Sequence, residues 1–169
     1  MSLYPGGSEN ILTSGCGCTP DGNLLRGAIS IKCGIDPGRH KIGVAFAESG
    51  TLLFSAIVPK SQEAILSGAL REGNWSLLGR WRKEGDLGAV EGKTVEKIYI
   101  GNGTSSDDLI KLLNGACDIE SADEYGTTLK GREIYWRLHP PKGLWRLIPT
   151  SLRTPPRDID DLAAWAIIK

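Results

Sequence analysis

The sequence predicts an α/β domain built on a mixed sheet with helices on both faces. Three features carry that prediction. Residues 29–58 hold three apolar runs joined by connections too short for a crossover. Strand-like and helix-like segments alternate from residue 97 onward, and the chain closes on one cleanly amphipathic helix. The size agrees, since 169 residues suit a single globular core, and 40% hydrophobic with 24% charged residues is ordinary for such a domain.

Residues 1–27 carry Gly, Ser, Pro and Asn without periodicity and read as a flexible N-terminal arm, leaving 28–169 as the domain. Ile29, Ile31, Cys33 and Ile35 then alternate with Ser30, Lys32, Gly34 and Asp36, which is strand spacing. An Asp36-Pro37-Gly38 turn leads into a second strand at 42–47, and Ser49-Gly50 into a third at 52–58, so the three form an antiparallel meander. Residues 61–71 place Ala64, Ile65, Gly68 and Ala69 at helical spacing. The stretch 72–94, with Trp75, Trp81 and several glycines, is longer than a crossover needs and reads as an insertion holding a second helix and a loop. A fourth strand at 97–100 precedes a helix capped by Ser105 or Ser106. A fifth strand at 117–122 precedes a helix opened by Thr127 or Thr128 and broken at His139-Pro140-Pro141. In the last helix Ile159, Leu162, Ala163, Ala166 and Ile167 fall at i, i+3, i+4, i+7 and i+8.

Composition excludes several classes of function. No apolar run reaches the roughly 18–20 residues that span a bilayer, and the N-terminus has neither the basic start nor the apolar stretch of a secretory signal, so a cytoplasmic protein with no membrane partner is expected. Four scattered cysteines do not make a disulfide scaffold, and with two histidines in the chain they do not suggest a zinc site. Twenty basic residues balance twenty acidic ones, which argues against a uniformly basic nucleic-acid binder. The balance is uneven, however: from Tyr125 to Arg157 there are seven basic residues against one acid, Glu133. A local basic surface can meet phosphates on a neutral protein, because fields fall off over about 10 Å.

Acidic residues stand where elements begin or end. Asp36 closes the first strand, Glu124 follows the fifth, and Asp158, Asp160 and Asp161 open the last helix. If the first, fourth and fifth strands are parallel, their carboxyl ends share the edge where ligand sites of open α/β sheets gather. Converging carboxylates repel unless a cation neutralises them, and hard oxygen donors suit Mg²⁺ or Mn²⁺. Each acid also has an ordinary explanation. Asp36 is a favoured turn residue before Pro-Gly, and Asp123-Glu124 complements a helix dipole. Asp158 suits an N-cap with Asp161 in the complementary capping position. Asp160 has no capping task, and on a helical wheel it flanks the apolar stripe while Asp161 points nearly opposite.

Four segments, GIDPGRHKIGVAF, IYIGNGTSSDD, SADEYGTTLKGREIYW and IDDLAAWAII, together resemble in order and spacing the YqgF-type branch of the RuvC-like Holliday-junction resolvases. The likeness covers roughly residues 29–169 without the 72–94 insertion. It implies an RNase H-like fold with a five-stranded mixed sheet of order 3-2-1-4-5. By this resemblance Asp36, Glu124 and Asp160 match the family's catalytic carboxylates and would hold Mg²⁺ or Mn²⁺. Asp161 stands where the family has a small residue, so it could share or replace the role of Asp160. Lys41, with Arg39 beside it, matches a basic position after the aspartate turn, and Asn102, Gly103 and Thr104 match a loop beside the site.

The expectation is a metal-dependent nuclease that cleaves nucleic-acid phosphodiesters, gripping the backbone with Arg39, Lys41, Asn102, Thr104, Lys142, Arg146, Arg153 and Arg157. The resemblance allows branched DNA or precursor ribosomal RNA as substrate. Two symmetric cuts need two sites, so a homodimer goes with the junction and a monomer with RNA trimming. A nucleic-acid-binding module without cleavage is the alternative from another class; a nucleotide-closing ATPase-like domain would need a second lobe, for which the chain has little room.

Overall fold

The computed structural model describes residues 29–168 apart from 104, 116, 124, 125, 150 and 151. The expected arm therefore lies outside the described residues. The meander forms as the alternation requires: β1 (Ser30–Pro37), β2 (Lys41–Glu48) and β3 (Thr51–Pro59) pair antiparallel. Ser49 and Gly50 both take positive φ, at 49° and 80°, the turn whose twist matches a tight hairpin. Helix α1 (Glu63–Glu72) follows, then β5 (Thr94–Gly101), α2 (Ser106–Leu113), β6 (Asp118–Ala122) and α3 (Thr127–Leu138). β5 and β6 run parallel to β1, so the carboxyl ends of β1, β5 and β6 lie along one edge, as expected. Helix α4 (Asp160–Ile167) ends the described chain.

The sheet has six strands, not five. The sixth, β4 (Arg82–Gly85), comes from the insertion, pairs antiparallel with β3 and gives the order β4-β3-β2-β1-β5-β6. Instead of a second helix and a loop, the insertion holds a 3-10 helix at Trp75–Trp81, this strand and a short 3-10 turn at Leu87–Ala89. Arg-Lys-Glu-Gly has no apolar alternation because an edge strand of four residues buries little of itself. The insertion contributes Trp75 and Leu78 to the main core, and the Trp75 ring lies 4.8 Å from that of Phe46.

The two faces of the sheet are filled differently. On one, Ile31, Cys33 and Ile35 of β1 join Val44, Phe46, Phe54, Ile98 and Ile100, covered by Leu66 and Leu70 of α1 and Leu109 and Leu113 of α2. On the other, α4 lies directly on β1 and β2, with α3 packed outside it. Two glycines permit this: a Cβ on Gly34 would overlap the Ala164 carbonyl oxygen, and one on Gly43 the Asp160 carbonyl oxygen. The N-terminus of α4 is thereby pressed onto the strand that pairs with the end of β1.

Candidate active-site cleft

Asp36 pairs in register with Gly43, and Gly43 is where α4 begins its contact with the sheet, so Asp36 and Asp160 come to one place. Both line an open cleft of about 650 Å³. Its walls come from α3 (Thr128 and Arg132), β4 (Lys83), the segment before α4 (Thr154, Pro155, Pro156, Arg157 and Asp158) and the helix itself. Thr128 and Arg132 are one helical turn apart and therefore share a face. Sequence reasoning did not place Lys83 or Arg132 beside Asp36. The i, i+4 spacing gave a signal for Arg132; Lys83 reads from sequence as one of three basic residues on the insertion that suit a phosphate, and nothing local signals that it would return to the carboxyl edge of the sheet.

Lys41, at the start of β2, sets the electrostatics of the helix terminus. Its ammonium lies 2.8 Å from Asp158 and 3.0 Å from Asp160. Partial burial opposes its charge, but these two carboxylates prevail and raise its pKa above the ordinary lysine value, while the hydrogen bond from Lys41 lowers that of Asp158. Asp158 is not the expected cap: α4 starts one residue later, Ile159 occupies the cap position without a side-chain hydrogen bond, and the Asp158 carboxylate turns to Lys41 instead.

Asp161 has a different environment. Its side chain is fully buried; Oδ1 accepts from Arg157 at 2.8 Å, and Oδ2 accepts from Ser55 of β3 at 2.6 Å and from Arg157 at 3.3 Å. The Ser55 hydroxyl also accepts from the Glu84 backbone N–H at 3.2 Å, and the Glu84 carboxylate receives Arg157 at 2.5 Å and His139 at 2.8 Å. The helical wheel has Asp161 pointing away from the core, but β3 receives that side of α4, and Ser55 meets the carboxylate there. Asp161 is not among the cleft-lining residues.

Several basic residues expected at a nucleic-acid surface are engaged internally. Arg157 lines the cleft, yet its guanidinium serves Asp161 and Glu84 and stands 5.4 Å from the Tyr135 ring centroid. Burial works against that charge, the two acids outweigh it, and its pKa is raised; Glu84 is lowered against its own burial by His139 and Arg157. Arg153 is buried against Trp136, whereas Lys142 and Arg146 are exposed on the Pro-rich loop. Arg39 is exposed in the β1–β2 turn, and Asn102 is exposed where β5 ends, outside the cleft lining. Glu124 and Thr104 lie outside the described residues. Among the described residues no three His, Cys, Asp or Glu side chains are grouped so as to hold a metal ion, and no helix is long and apolar enough to cross a membrane.

The chain matches no family model and no curated protein. Among solved structures it shows a partial likeness to a ROK family glucokinase from Streptomyces griseus in complex with glucose and AMPPNP, at 18% identity and a TM-score of 0.34. That alignment covers 67% of this chain and 38% of the glucokinase, and at such a score it carries no argument about fold or activity.

Proposed function

We propose that the cleft is the active site of a metal-dependent nuclease with an RNase H-like core, acting on branched DNA or on precursor ribosomal RNA. The observation that carries this reading is the meeting of Asp36 and Asp160 at the carboxyl edge of the parallel strands, with Lys83 and Arg132 on the same cleft. The order β3-β2-β1-β5-β6 inside the six-stranded sheet also accords with the expected 3-2-1-4-5 core, β4 being an addition at its edge. The donor chemistry fits a hard divalent ion: the carboxylates of Asp36, Asp158 and Asp160 line one open cleft. Asp36 and Asp160, with Glu124, would hold Mg²⁺ or Mn²⁺, which supplies Lewis-acid activation of water and phosphodiester. The chain's own groups do the rest: Lys83 and Arg132 orient the phosphate, and Lys41 holds Asp160 in place at the helix terminus. Arg157 sets the position of α4 rather than gripping substrate.

The engagement of Asp160 by Lys41 gives some support to a second reading, a nucleic-acid-binding surface without cleavage. One experiment separates them. The protein is incubated with Mn²⁺ or Mg²⁺ and a labelled four-way junction, a linear duplex and a structured RNA, beside Asp36→Asn and Glu124→Gln. Metal-dependent cleavage that both substitutions abolish supports the nuclease. Binding without cleavage, unchanged by Asp36→Asn, supports the module, and cleavage indifferent to both substitutions refutes the assignment of these carboxylates.

A further inference from the structure

Among the described residues, Arg153 Nε is the one buried side-chain nitrogen or oxygen without a hydrogen-bond partner. Arg153 is 8% exposed. Its Nη2 donates to the Arg146 carbonyl oxygen at 2.9 Å, and its guanidinium carbon lies 5.9 Å from the Trp136 ring centroid. Trp136 in turn donates from Nε1 to the Arg153 carbonyl oxygen at 3.3 Å, so the side chain and the backbone of this residue are both fixed. None of the ion pairs among the described residues reaches it: the acids nearby in sequence serve Lys41 and Arg157. A buried guanidinium normally has a carboxylate or another anion to offset its desolvation. Among the described residues no such anion pairs with Arg153.

The surroundings indicate what would supply it. Arg153 lines a recess of about 560 Å³ with Lys142, Arg146, Pro140 and Pro141, three cations and no acid. The two prolines give a wall of restricted backbone, so little ordering is needed when a ligand enters. A guanidinium offers parallel N–H donors spaced for two oxygens of one phosphate, and the exposed Lys142 and Arg146 add two further charges. The recess shares no lining residue with the carboxylate cleft, yet Arg153 lines one and Thr154, its neighbour in the chain, lines the other.

We propose that Arg153, Lys142 and Arg146 form a second anion site, beside the cleft, that takes a phosphate group. The site stands on its own unsatisfied charge. Its further identification, as a seat for a substrate backbone phosphate away from the bond that is cut, rests on the nuclease reading.

The test measures the thermal midpoint of the full chain in sodium phosphate and in sodium chloride of matched ionic strength, with chelator present so that no cleavage intervenes. The variants are Arg153→Lys, Arg153→Gln and the double substitution Lys142→Ser with Arg146→Ser, whose side chains are exposed and whose loss leaves folding intact. The wild-type midpoint rises with phosphate beyond the chloride control, and the double variant needs roughly tenfold more phosphate, or still more, for the same rise. Binding of a labelled single-stranded oligonucleotide by the same proteins identifies the source. A parallel loss of oligonucleotide affinity assigns the site to nucleic-acid phosphate; an unchanged affinity assigns it to a free phosphate compound. No phosphate response in the wild type, or an equal response in the double variant, overturns the proposal, even where the Arg153 variants fail to fold. Neither result depends on whether the cleft cleaves anything.

Discussion

Asp160 and Asp161 are adjacent and opposite in role, so paired asparagine substitutions separate them. Asp161 is fully buried and accepts two hydrogen bonds from Arg157 and one from Ser55. Asparagine keeps the shape but brings an amide N–H₂ against donors and removes the charge. A hydrogen bond to a charged group is worth about 1.5–3 kcal/mol, and breaking a buried ion pair outright costs about 3–5 kcal/mol. Because Arg157 keeps Glu84, Asp161→Asn should fall below that upper range, at about 2–3 kcal/mol. At about 2–4 °C per kcal/mol for a domain of this size, the midpoint drops by roughly 5–10 °C. Asp160 has a side chain 24% exposed and shares Lys41 with Asp158. Such a partly solvated pair is worth about 0–1 kcal/mol, so Asp160→Asn should barely move stability while removing cleavage. Thermal unfolding followed by far-ultraviolet circular dichroism measures both midpoints, and the cleavage assay reads the activity. Equal losses, or a larger loss at position 160, would refute the division of labour.

The close seat of α4 gives a second expectation: Gly43→Ala drives a methyl into the Asp160 carbonyl, costing about 1–3 kcal/mol by overpacking, and urea denaturation together with the cleavage assay should show stability and activity falling together. The Glu84 carboxyl titrates lower in the folded protein than in the unfolded chain, so its stabilisation is complete above the unfolded value of about 4.3 and is lost as pH falls through the folded one. Glu84→Gln should therefore flatten the acid limb of urea midpoint against pH below about pH 4.3, and an unchanged limb would show that Glu84 is not its source. Burial pushes the Cys33 thiol up, so a thiol reagent followed by mass spectrometry should label Cys33 at the rate of unfolding, not faster.

The sequence made the meander, the parallel trio of strands and the last helix legible, because each buries one face and so writes its period into the chain. Asp36 and Asp160 could be paired from that topology alone, since both stand at element ends on one edge. Asp161 could not be placed, because Ser55 and Arg157, which bond to it directly, are far from it or unpaired in the local pattern, and Glu84, which completes the network, stands on β4, a strand too short and too polar to announce itself. Glu84 looks like a surface residue in an insertion until the strand is formed. Charge alone marks Arg153 as a phosphate contact, but its burial against Trp136 depends on how the Pro-rich loop folds back on α3, which no local period encodes.

The hydroxyl of Ser55, the two carboxylates of Glu84 and Asp161 and the guanidinium of Arg157 belong to β3, the insertion, α4 and the loop before it. The insertion cannot then be gained or lost as a cassette. Excising residues 72–94 would leave an arginine and an aspartate facing each other under an opened edge, with Ser55 short of one donor. Descendants that shed the strand would be expected to change positions 55, 157 and 161 together, so those three sites should drift as a set while the carboxylates of the cleft stay put.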